Sequence, residues 1–167
     1  MRTVYLCRHA KSSWADPGQD DFDRPLNERG LRDAPAMARH FKARNEPVDL
    51  IISSPAKRAL TTARAFGTEL GMTGDAFRED PSLYHASTST IHRVLGALPD
   101  AIEHVVLFGH NPGFSEAVET LSSEPIGNMP TCGMVRIDFP VDSWSLVARD
   151  MGTLIWFDYP KRHPGEK

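Results

Sequence analysis

Unbroken apolar runs alternate with helix-spaced apolar positions along this chain. The runs TVYLC (3–7), VDLII (48–52) and HVVLF (104–108) show almost no polar alternation, as expected of strands buried on both faces. Between the first two, Leu31, Ala34, Met37, Ala38 and Phe41 recur at helical spacing. Asn27 is placed to cap that helix, and Pro35 inside it predicts a kink or a later start near Asp33. After the second run, SSPAKRALTTARAFGTEL predicts a helix capped by Ser54, with Pro55 in its first turn, reaching about Leu70. Residues 76–86 read as a short strand or loop. A helix beginning at Ser87 or Ser89 then carries Ile91, Val94, Leu95 and Leu98. The third run leads through GHNPG into a helix that lasts to about Leu121. In the last third, MVRIDF and TLIWFDY are strand-like, with SWSLVA between them. This order predicts an α/β fold: a single-domain three-layer αβα sandwich whose central sheet is mostly parallel with an antiparallel portion. The domain is expected to span 1–160, with 161–167 a polar, proline-bearing tail that frays.

Composition narrows the class. A chain of 167 residues fits one domain and can bury a core without staples. The net charge of −3 argues against a general nucleic-acid binder. Two cysteines, Cys7 and Cys132, make no disulfide framework. The apolar run after Arg2 is about five residues, where a signal peptide needs about seven or more, and no stretch approaches the roughly 18 apolar residues of a membrane span. The expectation is a cytoplasmic protein with neither nucleic acid nor membrane as partner.

Ligands in open α/β sheets bind beyond the carboxyl ends of the strands, and three such ends here carry similar chemistry. The first ends in Arg8 and His9. The second ends in Ser53-Ser54-Pro55, with Arg58 shortly after, and the third ends in Gly109, His110 and Asn111. If these strands are parallel neighbours, two imidazoles and two guanidiniums converge where two helix N-termini also favour anions. The composite is a phosphate pocket with imidazoles inside it.

LCRHA, SSPAKRALTTA and VVLFGHNPG together resemble the histidine phosphatase superfamily, the phosphoglycerate mutase-like fold. RHAKSSW, DRPLNERG and GHNPG, in so short a chain, resemble its SixA-type phosphohistidine phosphatase branch. The resemblance implies that His9 is the nucleophile and forms a transient phosphohistidine. It implies that Arg8 and Arg58 grip phosphate oxygens and that His110 stabilises the transferring group. Arg24, Ser12 and Asn111 are further substrate-binding candidates. Three positions depart from the pattern. Ala10 stands where glycine is usual, and Ala15 where the mutase branch has asparagine. Leu83-Tyr84-His85 stands where that branch has a Leu-x-Glu supplying the acid. Asp21, Asp23, Glu79, Asp80 and His85 are candidates to fill that gap.

No third ligand recurs at metal spacing beside His9 and His110, and the arginines would repel a cation, so no metal and no cofactor are expected. The expected activity is metal-independent phosphatase chemistry on a phosphorylated protein carrying phosphohistidine, or on a small phosphate compound. A broad phosphomonoesterase and a weakly catalytic phosphoprotein-binding module are the alternatives.

Overall fold

The computed structural model describes residues 1–165. Its core is a six-stranded sheet. The strands are β1 (Arg2–Arg8), β2 (Leu50–Ser53), β3 (Phe77–Glu79), β4 (His104–Gly109), β5 (Met134–Phe139) and β6 (Thr153–Asp158), in the order β3-β2-β4-β1-β5-β6. The first four pair in parallel; β5 runs antiparallel to β1, and β6 antiparallel to β5. Four helices cover the faces: α1 (Glu28–Ala43), α2 (Lys57–Leu70), α3 (Thr88–Gly96) and α4 (Gly113–Ser122). This is the three-layer α/β sandwich with a parallel core and an antiparallel edge that the sequence predicts.

Strand periodicity divides the core into two. Val4, Leu6, Ile52, Val105 and Leu107 face one way and pack on Ile91 and Leu95 of α3 and Phe114 and Val118 of α4. Tyr5, Cys7, Ile51, Val106 and Phe108 face the other way, onto Met37 and Phe41 of α1 and Phe66 of α2. Both faces are apolar because both are covered, which is why these strands read as unbroken runs.

Two helix starts differ from expectation. Asn27 caps α1, its Oδ1 accepting from Gly30 N at 2.9 Å, but α1 continues through Pro35 without a later start. The carbonyl that Pro35 cannot serve is that of Leu31, which is exposed, so water can satisfy it. Leu31 therefore faces solvent, and the buried stripe begins at Gly30 instead. A Cβ on Gly30 would lie 2.2 Å from the carbonyl oxygen of Lys11; only glycine lets α1 rest on that segment. The other helix, α2, begins at Lys57, with Ala56 in the cap position and no side-chain cap. Ser54 lies two residues before that position; its hydroxyl accepts from Ala56 N at 3.3 Å and lies 2.8 Å from His110 Nε2.

The polar tail is tied down as far as His163. Pro160–Arg162 form a 3-10 turn, His163 Nε2 bonds Asp158 Oδ1 at 2.8 Å, and its ring stacks on His40 at 3.6 Å. Among the described residues no helix is long and apolar enough to cross a membrane.

Candidate active site

The parallel strands β1, β2 and β4 bring their carboxyl ends together, and β1 and β4 end opposite one another at Arg8 and Gly109. His9 and His110 follow immediately. Their rings lie 5.3 Å apart, centroid to centroid, and both are buried. Together with Arg8, Arg58, Arg24, Ser12 and Asn111 they line one cavity of about 280 Å³. The seven residues named as catalytic or substrate-binding candidates thus line one cavity.

The second motif accounts for much of the geometry. Ser54, Arg58 and Thr62 are four residues apart. Ser54 Oγ lies 2.8 Å from His110 Nε2. Arg58 Nε points at His9 Nε2 across 3.4 Å. Thr62 Oγ1 accepts from the backbone N–H of Ala10 at 3.0 Å while donating to Arg58 O. One helical start therefore contacts both histidines and the backbone just past β1.

The His9 tautomer follows from its partner. Nδ1 lies 2.7 Å from Ala10 O, and a carbonyl only accepts, so Nδ1 carries the proton and Nε2 presents its lone pair. Burial, and then the Arg58, Arg8 and Arg24 guanidiniums, push the His9 imidazole down to about 3, against the pull of the Ala10 carbonyl. Burial, and then His9 and Arg58, push His110 down to about 2. Both rings are neutral in the ligand-free site at physiological pH.

The arginines are fixed rather than floppy. Arg8 donates to Met129 O at 2.9 Å. Arg24 is buried, donates to Ser12 Oγ and carries the Trp14 ring at 3.5 Å from its guanidinium carbon. Arg58 donates to Asp21 O at 2.5 Å and to Asp21 Oδ2 at 2.9 Å. Asn111 spends its amide on Asn128 Oδ1 and Met129 O and accepts from the Ser115 hydroxyl, so it braces the 128–129 segment as well as lining the cavity.

Asp21 is the hub. Its Oδ2 also accepts from Tyr84 at 2.7 Å and lies 2.9 Å from His85 Nε2. Burial raises its carboxyl, but the hydrogen bonds from Tyr84, His85 and Arg58 outweigh that and hold it well below the usual carboxylate range. Of the five acid candidates, only Asp21 and His85 line the cavity. Asp80 instead caps the turn at Pro81–Leu83 through Ser82 N. Trp14, Lys11 and Thr131 also line the cavity; Lys11 and Trp14 fall within the RHAKSSW motif but not among the candidates named from it, and Thr131 carries no motif signal. Four cations, Arg8, Lys11, Arg24 and Arg58, face a single carboxylate there. The cavity thus carries a net positive charge in a chain of net charge −3.

Among the described residues no group of three His, Cys, Asp or Glu lies together as a metal site. The arrangement suits anion capture around an imidazole nucleophile.

A family model described as histidine phosphatase superfamily (branch 1) matches residues 4–85. The crystal structure of the "putative phosphohistidine phosphatase SixA" of Agrobacterium tumefaciens superposes with a TM-score of 0.78 at 32% identity, covering 95% of this chain and 98% of that one. The chain belongs to the histidine phosphatase superfamily. Within it the structural similarity places this histidine phosphatase with the SixA-type members. A protein histidine phosphatase SixA complexed with tungstate shares the fold, with a TM-score of 0.81 at 21% identity over 96% of this chain and 98% of that one. An uncharacterised chloroplastic protein of Arabidopsis thaliana is 30% identical over 86% of this chain and 69% of its own length. The family supports phosphatase activity on phosphorylated substrates.

Proposed function

We propose that this histidine phosphatase hydrolyses phosphohistidine without a metal, through a covalent phosphoryl intermediate on His9. The Nε2 lone pair of His9 attacks phosphorus in line, the bond to the leaving nitrogen breaks, and water then cleaves the N–P bond to release phosphate. Arg8, Arg58 and Arg24 hold the phosphoryl oxygens, and His110 stabilises the charge that spreads over them, the main source of rate in phosphoryl transfer. The arriving dianion opposes the arginine charge that depresses both histidines, so His110 can take a proton as phosphate binds.

The observation that carries the substrate class is Asp21. Among the described residues it is the one carboxyl in the cavity wall, and it is tied to Arg58, Tyr84 and His85 as a carboxylate. A carboxylate cannot protonate an alkoxide. The imidazole of phosphohistidine needs no such acid, since with its other nitrogen protonated it leaves neutral. The mouth lies open beside an exposed Trp14, which suits a phosphorylated side chain on a protein.

His85 favours the second reading, a broader phosphomonoesterase. It lines the cavity, and imidazole is the side chain most often used as a general acid. One measurement separates the two: log(kcat/KM) against leaving-group pKa for phosphoimidazole, aryl phosphates and alkyl phosphates, in wild type and His85→Ala. A steep dependence unchanged in the variant supports phosphohistidine. A flat one that steepens in the variant makes His85 the acid and supports the monoesterase, since a positioned acid contributes about 10²–10⁴-fold.

A further inference from the structure

A second cavity, larger than that of the active site, measures about 430 Å³. It is lined by Arg29, Arg32 and Asp33 of α1 and by Pro160, Lys161 and His163 of the C-terminal segment. The topology puts it on the catalytic edge. β6 runs antiparallel to β5 and β5 antiparallel to β1, so β6 ends where β1 ends and delivers Pro160–His163 to that side.

Backbone contacts link the linings of the two cavities. Gly30 lies against the Lys11 backbone, and Lys11 lines the active site. Thr131 lines the active site too, while its neighbour Cys132 contacts Asp33 O through Sγ at 3.9 Å. A chain whose phosphorylated side chain reaches His9 can therefore continue into the second cavity.

The charge around the mouth is polarised. On the α1 side stand Arg29, Arg32 and Lys161, all exposed; among the described residues Asp33 is the one carboxylate in that cavity, and Arg29 is paired with it at 3.4 Å, which leaves Arg32 and Lys161. On the other side the 15–25 loop exposes Asp16, Asp20 and Asp23. Arg29 and Arg32 stand on α1 and Lys161 on the C-terminal segment, each exposed. That suits several carboxylates of one polypeptide rather than a single small anion.

We propose that this cavity docks an acidic segment of the protein substrate, next to the phosphorylated residue and on the side away from the 15–25 loop. The proposal rests on the phosphohistidine reading and adds the charge of the substrate's flank. Exposed charge pairs are individually weak, so the effect is a modest, salt-sensitive preference, felt in KM.

The test uses two synthetic phosphohistidine peptides, one flanked by glutamates and one by glutamines, with phosphoimidazole as a substrate too small to reach the second cavity. The enzymes are wild type and the double variant Arg32→Glu/Lys161→Glu, both surface changes outside the catalytic cavity, with folding checked by circular dichroism. Wild type should favour the glutamate peptide about tenfold in kcat/KM at low salt. The preference should vanish in the double variant and in high salt while phosphoimidazole turnover stays unchanged. Equal turnover of the two peptides by wild type, or a preference that survives in the double variant, overturns the docking site. Fluorescence anisotropy with the labelled peptides reads docking without turnover. If wild type leaves phosphoimidazole intact but binds the glutamate peptide more tightly, and the double variant does not, the substrate reading falls and docking stands. If anisotropy shows no difference either, both fall.

Discussion

At the residue scale the site separates side chains that differ by one position. Lys57 and Arg58 are neighbours on α2, yet Lys57 is exposed and Arg58 is buried against His9 and Asp21. Removing one preorganised donor to a developing charge costs about 10²–10³ in rate. Arg58→Ala and Arg8→Ala should each lose that much kcat on phosphoimidazole. Lys57→Ala should stay within about threefold, its charge being screened, and equal losses would place the wrong residue in the site. His9→Ala should abolish turnover while leaving phosphate affinity. Wild type mixed briefly with labelled substrate and quenched in alkali should retain label on His9; label on serine would exclude the proposed intermediate. The convergence of His9, Arg58 and His110 was legible in the sequence because each follows a strand end at motif spacing. The Asp21 hub was only half legible. Asp21 and His85 could be named as acid candidates, but 64 positions separate them along the chain. Nothing local reveals that they, Tyr84 and Arg58 share one oxygen.

At the scale of elements, buried strands were legible and helix starts were less so. A strand covered on both faces writes itself as an apolar run, whereas a helix start depends on where a hydroxyl finds its partner. Ser54 has the chemistry of a cap, but the helix starts three residues later, and its hydroxyl is shared between Ala56 N and His110, which follows β4. Leu31 fits the helical period, yet the tight approach of Gly30 to Lys11 turns that face outward. The glycines make this testable. A Cβ on Gly113 would lie 1.9 Å from Ala86 O, in the segment that follows His85, whereas one on Gly96 meets nothing within 4 Å. Gly30→Ala and Gly113→Ala should displace Lys11 and His85 respectively. Each should lower both Tm and kcat/KM, as read by thermal melts and phosphoimidazole turnover. Gly96→Ala should leave kcat/KM alone and stabilise by about 0.4–1 kcal/mol through the unfolded chain. A Gly30→Ala enzyme of full activity would show that α1 does not set the position of the Lys11 wall.

At the scale of the whole molecule, the site opposes stability in acid. His9 and His110 are neutral in the fold, at about 3 and about 2, because burial and the arginines oppose charge, whereas an unfolded histidine sits near 6.5. As pH falls through 6.5 the unfolded chain takes up two protons that the folded chain refuses. Depressed folded values thus mean stability that is complete above about 6.5 and is lost as pH falls toward the folded values. The limiting slope is about 1.4 kcal/mol per pH unit for each ring, large against a total stability of about 5–15 kcal/mol. Urea unfolding between pH 7 and pH 4.5 should therefore show a steep fall in ΔG for wild type and a shallower one for His110→Gln. Adding phosphate should flatten the wild-type curve, because a bound anion lets the folded site accept protons and binds only the folded chain. Parallel curves for the two proteins would mean that His110 is already charged in the fold. His110 could then hold the phosphoryl group from the outset, rather than taking its proton as the substrate arrives.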